Sequence, residues 1–337
     1  MESVELAKSP NIQDVVVGLD VGRSGVKLAF HFMNEVKCHF IPSVVMPAKA
    51  ITYDTNKKQT ADNTVVVDGR EYFVGETAIE QGANQTVGLS NNWLDGIEHK
   101  ALLLRSKRLL NSYGITPKLI VAGLPVETFE SHAQQLFEQV SEIFACAVQP
   151  VPQPWGVFQD YLLNDDGRLK KNTVSATREK FAVIDVGHYT TDILLMSNLN
   201  WIQESSGSSV GMYKAVSELK NRLSAMGITA SAIECQTIIR DKQIKEFGKW
   251  RDVSEIVESS IPATADVVVQ ETRNLLETQA RTIDHILVAG GGASCVLDRF
   301  KELWPQTTGV DDPRYSVVRG MRKYGVACVL SDKSLIS

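Results

Sequence analysis

The chain has 337 residues, of which 43% are apolar and 22% are charged, and its net charge is −5. This length favours two domains with buried cores, and the excess of acidic over basic residues argues against direct binding of DNA. The five cysteines are far apart, show neither disulfide nor zinc spacing, and are expected to be reduced. No apolar run reaches membrane-spanning length and the N-terminus has no signal-peptide pattern, so a soluble, cytoplasmic protein without membrane contact is expected.

The first half of the sequence begins with a loose leader at 1–13 and then alternates predicted strands and helices. Residues 48–63 are polar and predict a loop, and the charged stretch 164–180 predicts an exposed loop between two halves. Strands are predicted at 15–19, 26–32, 36–41 and 118–122, and a further strand begins at 148 and ends in the three alternating prolines of 150–154. A hairpin with an Asp68-Gly69 turn is predicted at 64–74, and helices are predicted at 98–112, 127–144 and 154–163.

The second half opens with a hairpin predicted over 181–195. Pro262 is expected to break a long helical pattern, since proline cannot continue a helix. Helices are predicted at 209–226, at 229–239 with Thr229 as its N-cap, over 253–281 around that break, from 294 and from about 316, with a strand at 283–289. Strands that alternate with helices indicate an α/β fold.

One short pattern occurs twice. Asp20-Val21-Gly22 and Asp185-Val186-Gly187 each follow an apolar run and precede a second one, at an offset of 165 residues. An Asp-x-Gly sequence between strands is ordinary turn chemistry when it occurs once. Two matched copies, half a chain apart, instead predict two similar halves that face each other across a cleft. Their backbone N–H groups would form paired anion-binding turns suited to the phosphates of one nucleotide.

The side chains near these turns are those that a nucleoside triphosphate with Mg²⁺ requires. The first turn adds the Ser24 hydroxyl and Lys27, and Asp20 and Asp185 are placed to flank a metal ion. The run Gly290-Gly291-Gly292 joins a strand to a helix, where backbone can approach a ligand closely or where the turn is merely tight. The sequence contains neither a P-loop nor a dinucleotide-binding G-x-G-x-x-G motif.

Together these motifs resemble the actin, sugar-kinase and DnaK-chaperone superfamily, and within it the ParM/StbA plasmid-segregation ATPases. The segments that carry the resemblance are 20–27 and 185–192 (the two phosphate motifs), 121–127 (a Leu-Pro turn), 152–154 (the first connecting motif), 286–293 (the adenosine motif), and 314–317 with 320–325 (the second connecting helix). They are spread over most of the chain, and their order and spacing together are specific.

The resemblance implies an actin-like fold of two related α/β domains, each with a mixed sheet flanked by helices, and a nucleotide cleft between them. Domain I would span residues 1–165 and domain II residues 166–337. A C-terminal helix at about 316–330 would pack back on domain I.

The resemblance also implies roles for individual residues. Lys27 would contact the β- and γ-phosphates, Asp20 and Asp185 would hold hydrated Mg²⁺, and Gln153 would position the attacking water. The full implied nucleotide site consists of Asp20, Gly22, Arg23, Ser24, Gly25, Lys27, Gly187, His188, Tyr189, Thr190, Thr191, Gly290, Gly291, Gly292, Arg314 and Tyr315, with Gln153 and Asp185 as catalytic residues. The pair His188-Tyr189 departs from the family, which has glycine or small residues there, so the phosphate contacts of this loop are open.

The implied function is slow hydrolysis of ATP or GTP coupled to polar filaments that segregate plasmid DNA through a DNA-binding adaptor. A small-molecule kinase of the same superfamily is the alternative, as is another actin-like cytoskeletal protein. A kinase requires an acidic general base beside its acceptor hydroxyl, whereas the first connecting motif has the neutral Gln153. A neutral amide can orient water but cannot act as a strong base, which suits slow hydrolysis.

Overall fold

The computed structural model describes residues 12–82, 93–171, 175–332 and 334. Most of the predicted leader 1–13 and part of the predicted loop 164–180 therefore lie outside the described residues. The strands are β1 (Val16–Val21), β2 (Gly25–Phe32), β3 (Glu35–Pro42), β4 (Val45–Pro47), β5 (Thr64–Val67), β6 (Arg70–Val74), β7 (Leu119–Leu124), β8 (Ala147–Pro152), β9 (Lys180–Val186), β10 (Thr190–Ser197), β11 (Asn200–Trp201), β12 (Gly207–Val210), β13 (Gln243–Glu246), β14 (Lys249–Asp252), β15 (His285–Ala289) and β16 (Thr307–Gly309).

The helices cover the faces of the sheets and connect the parallel strands. They are α1 (Lys57–Asp62), α2 (Glu76–Glu80), α3 (Ile97–Ser112), α4 (Phe129–Phe144), α5 (Gln153–Leu162), α6 (Tyr213–Ala225), α7 (Ala232–Asp241), α8 (Ser254–Ser260), α9 (Pro262–Leu276), α10 (Ala293–Leu303) and α11 (Ser316–Ser331). No helix in the described ranges is long and apolar enough to cross a membrane. All five cysteines are free.

Two sheets repeat one topology. The first has the order β3-β2-β1-β7-β8 and the second β11-β10-β9-β15-β16, with β12 also paired to β10. In each, an antiparallel hairpin (β1–β2 or β9–β10) is extended by two parallel strands. The predicted relation between the two halves is confirmed, and it brings the paired turns to equivalent sheet edges.

Helices α5 and α11 lie between the sheets, and their apolar side chains share one core with both halves. That core includes Val16, Phe158, Phe181 and Val317. The helices touch through their backbones, since a Cβ on Gly320 would lie 1.7 Å from the Gly156 carbonyl oxygen. Likewise, α11 meets β1 so closely that a Cβ on Gly18 would lie 2.1 Å from the carbonyl oxygen of Val318. Glycine at these positions thus permits close packing around the cleft.

Three predictions of local structure in the sequence were wrong. The predicted loop 48–63 contains α1, because the Asn56 side chain accepts a hydrogen bond from the Gln59 N–H and caps a short helix. Ser209 and Val210 belong to β12 rather than to a helix, since they pair with β10. The N-cap of α7 is Ser231, whose hydroxyl accepts from the Glu234 N–H, and not Thr229.

Candidate functional site

The first phosphate-type turn lies between β1 and β2. Asp20 and Lys27 are partners in the antiparallel ladder, and the Lys27 ammonium lies 3.2 Å from Asp20 Oδ2. The turn is anchored from outside by Ser43, whose hydroxyl donates to the Gly22 carbonyl at 2.5 Å. Burial opposes the charge on Lys27, but the neighbouring carboxylates of Asp20 and Asp185 raise its pKa above the usual value. A largely buried cation is therefore held at the turn.

The second turn lies between β9 and β10, and like the first it joins its two strands through three residues. The Gly187 N–H donates to the Thr190 carbonyl at 2.8 Å. The start of α6 is fastened to this turn, because the Tyr213 N–H donates to the His188 carbonyl at 2.7 Å. A Cβ on Gly211 would lie 2.5 Å from that same carbonyl, so the chain can pass over the loop only with glycine there.

Asp192 is a site residue to which the sequence analysis gave no role. It is the ladder partner of Asp185, as Lys27 is the partner of Asp20, and the offset of 165 residues relates the two partners. Its carboxylate accepts from Ser208 Oγ (2.6 Å), Thr190 Oγ1 (2.9 Å) and the Val126 N–H (2.9 Å). Since Val126 belongs to the other half, Asp192 ties the two halves together. Applying the repeat offset to Lys27 would have found it.

Asp185 has the opposite character, because its buried Oδ1 has no hydrogen-bond partner among the described residues. Burial raises the pKa of Asp185 to about 7, which Lys27 counteracts and which the carboxylates of Asp192 and Asp20 reinforce. A buried oxygen without a donor is costly unless a cation or a donor completes it. The surroundings of Asp185 are therefore suited to a cation that enters the site together with a bound ligand.

Gln153 begins α5 and reaches the first turn. Its Nε2 donates to Asp20 Oδ1 at 2.6 Å. Pro154 occupies the first turn of the helix, as predicted, where its missing N–H costs nothing. Gly123 leaves room for the side chain, since a Cβ there would lie 3.0 Å from Gln153 Cγ. Because one amide hydrogen goes to Asp20, the Gln153 oxygen is left as an acceptor.

The three glycines after β15 differ in what surrounds them. Gly290 has φ +89°, and a Cβ there would lie 2.4 Å from the Val186 carbonyl oxygen and 2.5 Å from Asp185 Oδ1. Gly292 is held by its N–H, which donates to the Val186 carbonyl at 2.9 Å. A Cβ on Gly291 would meet nothing within 4 Å. Gly290 is thus required by the fold, whereas Gly291 leaves open space beside the cavity.

The loop residues His188 and Tyr189 pack against each other, and His188 also contacts helix α7. The His188 ring lies 4.5 Å from that of Tyr189, and its Nε2 is 3.4 Å from Gln236 Nε2. Burial lowers the pKa of His188 to about 4, so the imidazole is neutral near pH 7. This departure from the family therefore adds a neutral ring beside the turn, not a charge.

Most of the implied site residues line one cavity of about 820 Å³. They are Asp20, Gly22, Arg23, Ser24, Gly25, Lys27, Gln153, Asp185, Gly187, His188, Tyr189, Thr190, Gly290, Gly291, Gly292 and Arg314. Arg314 lies over the Phe40 ring at 3.8 Å, and Arg23 over the Trp93 ring at 5.5 Å. Helix α7 adds residues that the sequence analysis did not select, including Gln236 and Arg240.

Two residues of the implied site are not among those that line the cavity. The Thr191 side chain is buried and donates to the Val210 carbonyl at 2.8 Å, so it serves the β10–β12 pairing. Tyr315 precedes α11 and is the neighbour of Arg314, whose guanidinium carbon lies 5.9 Å from the tyrosine ring.

Comparison with known proteins agrees with this architecture. Residues 18–156 match the N-terminal domain of actin-like proteins, and residues 183–302 match the C-terminal domain of archaeal, MreB-like actin homologues. A curated archaeal actin homologue from Thermoplasma volcanium is 25% identical over 212 residues, a match that covers 56% of this chain. The chain spans 61% of the length of that relative.

Solved structures with the same fold cover nearly the whole chain. One is a 15-stranded ParM filament from Clostridium botulinum, with TM-score 0.70 and 19% identity over 92% of this chain and 98% of the other. Another is an archaeal actin homologue in complex with ADP, with TM-score 0.70 and 21% identity over 91% and 98% of the two chains. Successive actin-like domain matches on a chain with the actin-like fold lead to one conclusion: the protein belongs to the actin-like family.

Proposed function

We propose that this protein is a nucleotide-dependent, filament-forming ATPase that binds ATP or GTP with Mg²⁺ between its two halves. The observation that carries the proposal is the convergence of the two turns on one cavity, with Asp20, Lys27 and Gln153 from one half and Asp185 from the other. The halves proposed as domains are residues 1–165 and 166–337.

The phosphates would lie between the turns. Lys27 supplies a largely buried positive charge, and Gly22 and Gly187 supply backbone close to the ligand. The nucleoside would lie toward Gly291 and helix α7, where Gly291 leaves open space and Gln236 and Arg240 offer polar groups. A structure of an archaeal actin homologue with ADP supports a nucleotide as the ligand of this fold.

Asp20 and Asp185 would hold the hydrated metal together with the phosphates. Among the described residues, no group of three or more His, Cys, Asp or Glu side chains is arranged to hold a metal by itself. Mg²⁺ commonly binds through one or two carboxylates plus phosphate oxygens, and the partnerless Oδ1 of Asp185 fits that arrangement. When bound, Mg²⁺ would neutralise charge that develops on the phosphates.

Hydrolysis would proceed by in-line attack of water on the γ-phosphorus, with breakage of its bond to the β–γ bridging oxygen and release of the diphosphate. Asp20 fixes the Gln153 amide, so that its oxygen can accept a hydrogen bond from the attacking water. Because Gln153 is a weak base, it contributes orientation and not proton abstraction. Slow turnover follows from this arrangement.

The proposed cellular role is segregation of plasmid DNA in the cytoplasm through a DNA-binding adaptor. It is supported by the ParM filament among the similar structures and by the net charge of −5, which disfavours direct DNA contact. The alternative, a small-molecule kinase, would need an acidic base where Gln153 stands. A phosphorylated sugar product in place of free phosphate would establish that alternative.

Titration calorimetry with ATP, GTP and ADP in the presence and absence of Mg²⁺, together with phosphate release, tests the proposal. We expect one site per chain, tighter triphosphate binding with Mg²⁺, and abolished hydrolysis in Asp185→Ala. Failure of every nucleotide to bind would overturn the proposal. Undiminished turnover in Asp185→Ala would show that the assignment of Asp185 to the metal site is wrong.

A further inference from the structure

The cavity between the halves extends beyond the two phosphate turns into the first half, toward helices α3 and α4. The proposed nucleotide site uses none of the residues that line this extension. They are Trp93, Leu94, His99, His132 and Leu136. We call the space among these five residues the side chamber. Since Leu94 and Leu136 also belong to the core of the first half, the fold itself fixes part of its wall.

Hydrogen bonds from helix α4 hold the segment that precedes α3 in place. Gln139 Nε2 donates to the Leu94 carbonyl at 2.8 Å. Gln135 Nε2, one helical turn earlier, donates to Asp95 Oδ1 at 2.5 Å. Both donors belong to α4 and both acceptors lie just before α3, so the two sides of the side chamber are fastened to each other. The side chamber is therefore a formed part of the first half.

The walls of the side chamber are mainly aromatic and aliphatic. The Trp93 and His99 rings meet edge to face, with their centroids 5.3 Å apart. The two leucines of the chamber are buried. The His132 ring is held at the start of its own helix, since its Nδ1 lies 3.2 Å from the Thr128 carbonyl oxygen. Walls of this kind suit a flat, largely apolar molecule, because aromatic faces and edges pack closely against one another.

His99 brings an unpaired polar group to these walls. Its side chain is 1% exposed, and neither His99 Nδ1 nor Gln139 Oε1 has a hydrogen-bond partner among the described residues. Burial lowers the pKa of His99 to about 4, a shift that the nearby Gln139 side chain only partly opposes, so the ring is neutral near pH 7. A buried polar atom without a partner costs free energy. A ligand that forms a hydrogen bond with the ring would remove that cost.

The side chamber adjoins the phosphate end of the proposed nucleotide site. Arg23, in the first phosphate turn, lies over the Trp93 ring at 5.5 Å. The strand end that leads into α4 passes Gln153, since a Cβ on Gly123 would lie 3.0 Å from Gln153 Cγ. The nucleoside is instead proposed to lie toward Gly291 and helix α7. A ligand in the side chamber would therefore lie beside the phosphates and leave the nucleotide in place.

We propose that the side chamber binds a small, uncharged heteroaromatic molecule, which packs against Trp93, forms a hydrogen bond with His99 and slows hydrolysis in the adjoining nucleotide site. A ring with both an N–H donor and a nitrogen acceptor can pair with either tautomer of the neutral imidazole. The binding of this ligand does not depend on the proposed function. Its effect on hydrolysis rests on the proposed function.

Benzimidazole is the probe, because its ring carries one N–H donor and one nitrogen acceptor. Its binding is measured by saturation-transfer NMR and calorimetry on the full chain, without nucleotide and with ADP and Mg²⁺. We expect one site per chain with a Kd of about 1 mM or tighter, and a similar affinity when ADP is bound. Displacement of benzimidazole by ADP would place it in the nucleotide site and overturn the inference, as would the absence of binding.

His99→Leu removes the ring nitrogens and keeps an apolar side chain. We expect it to bind benzimidazole at least tenfold more weakly and to melt at or above the wild-type temperature, because an unpaired buried polar group is lost. His39→Leu is the matched control, since that half-buried imidazole lies on β3 outside the cavity. Undiminished binding in His99→Leu, or an equal loss in His39→Leu, would overturn the assignment. If His99→Leu does not fold, Trp93→Leu at a half-buried position gives the same test.

Phosphate release at saturating ATP and Mg²⁺ tests the effect on hydrolysis. Benzimidazole should lower kcat at least twofold in the wild type and in His39→Leu but not in His99→Leu, because the bound ligand restrains the segment that contacts Gln153. An unchanged kcat in wild-type protein with benzimidazole bound would overturn this part of the inference. Binding of benzimidazole that depends on His99, in a chain that binds no nucleotide, would overturn the proposed function and confirm the side chamber as a separate site.

Discussion

Gln153 Nε2 donates a hydrogen bond to Asp20 Oδ1 at 2.6 Å, although the two residues are 133 positions apart. The same carboxylate contacts Lys27 through its other oxygen at 3.2 Å. Asp20 therefore orients both the residue that we assign to the water and the residue that we assign to the phosphates. If these assignments hold, one side chain would couple phosphate binding to water positioning.

Gln153→Ala is expected to leave nucleotide affinity nearly unchanged, because in the proposed site Lys27 and the turn N–H groups would hold the phosphates. Loss of a water-positioning contact should slow hydrolysis on the order of a hundredfold. Filaments should form with ATP and disassemble slowly, since the triphosphate persists. Phosphate release and filament lifetime are measured in the same sample.

Gln149→Ala is the matched control, because Gln149 is exposed on β8 and lies outside the cavity. It should behave as wild type in both assays. If Gln153→Ala also releases phosphate at the wild-type rate, Gln153 has only a structural role at the N-terminus of α5 and the catalytic assignment is wrong.

Lys27→Met should weaken triphosphate binding by about 10- to 100-fold, because charged hydrogen bonds to phosphate are lost. The loss should be smaller for the nucleoside, which carries no phosphate. Calorimetry with ATP and adenosine measures both. Lys37→Met, on the neighbouring strand β3 and outside the cavity, is the control. Equal weakening of ATP and adenosine would show that Lys27 does not contact the phosphates.

The thermal stability of the nucleotide-free protein should depend on pH because of Asp185. Its pKa rises from the usual 3.8 to about 7 on burial, so its stabilising, protonated form is fully present below about pH 4 and is lost as the pH rises through 7. Asp185→Asn mimics the protonated carboxyl. Its melting temperature should be close to that of the wild type at pH 5 and should exceed it at pH 8.

The measurement is thermal unfolding at both pH values without nucleotide or Mg²⁺. Asp68→Asn, at an exposed turn, controls for the loss of a carboxylate and should show the same difference from wild type at both pH values. A constant difference between Asp185→Asn and wild type from pH 5 to 8 would contradict the raised pKa.

Substitutions in the glycine run 290–292 distinguish an effect on nucleotide binding from an effect on folding. Gly291→Ala should melt like wild type, because its Cβ would meet no atom within 4 Å, but it should bind nucleotide at least tenfold more weakly if the ligand fills that space. Gly290→Ala should be strongly destabilised by its contacts with Val186 and Asp185. Gly69→Ala has a similar positive φ with open space around it, so it measures the backbone cost alone. Unchanged affinity in Gly291→Ala would place the nucleotide elsewhere.

Features with a local signal could be predicted from the sequence. The Asp-x-Gly turns, the Asp68-Gly69 hairpin and the helix that opens at Pro154 depend on neighbouring residues, and the structure confirms each element. The repeat at 165 residues also predicted the matched sheets. These features placed both turns on facing halves before any contact was known.

Long-range contacts could not be predicted in this way. The Asp192 bond to the Val126 N–H joins segments 66 positions apart, and no local pattern reports it. Ser209 pairs with Thr191 as a strand although its surroundings have helical periodicity. The β13–β14 hairpin was missed because phenylalanine is unusual at the first position of such a turn, although Gly248 is favoured at the second.

The central claim is that nucleotide in this cavity drives assembly. Its most direct test is sedimentation of the wild-type protein over a wide concentration range with ATP, with GTP and without nucleotide, each with Mg²⁺. The account predicts a pellet above a critical concentration only when a triphosphate is present. Protein that stays at the monomer value under every condition, or that pellets equally without nucleotide, would contradict it.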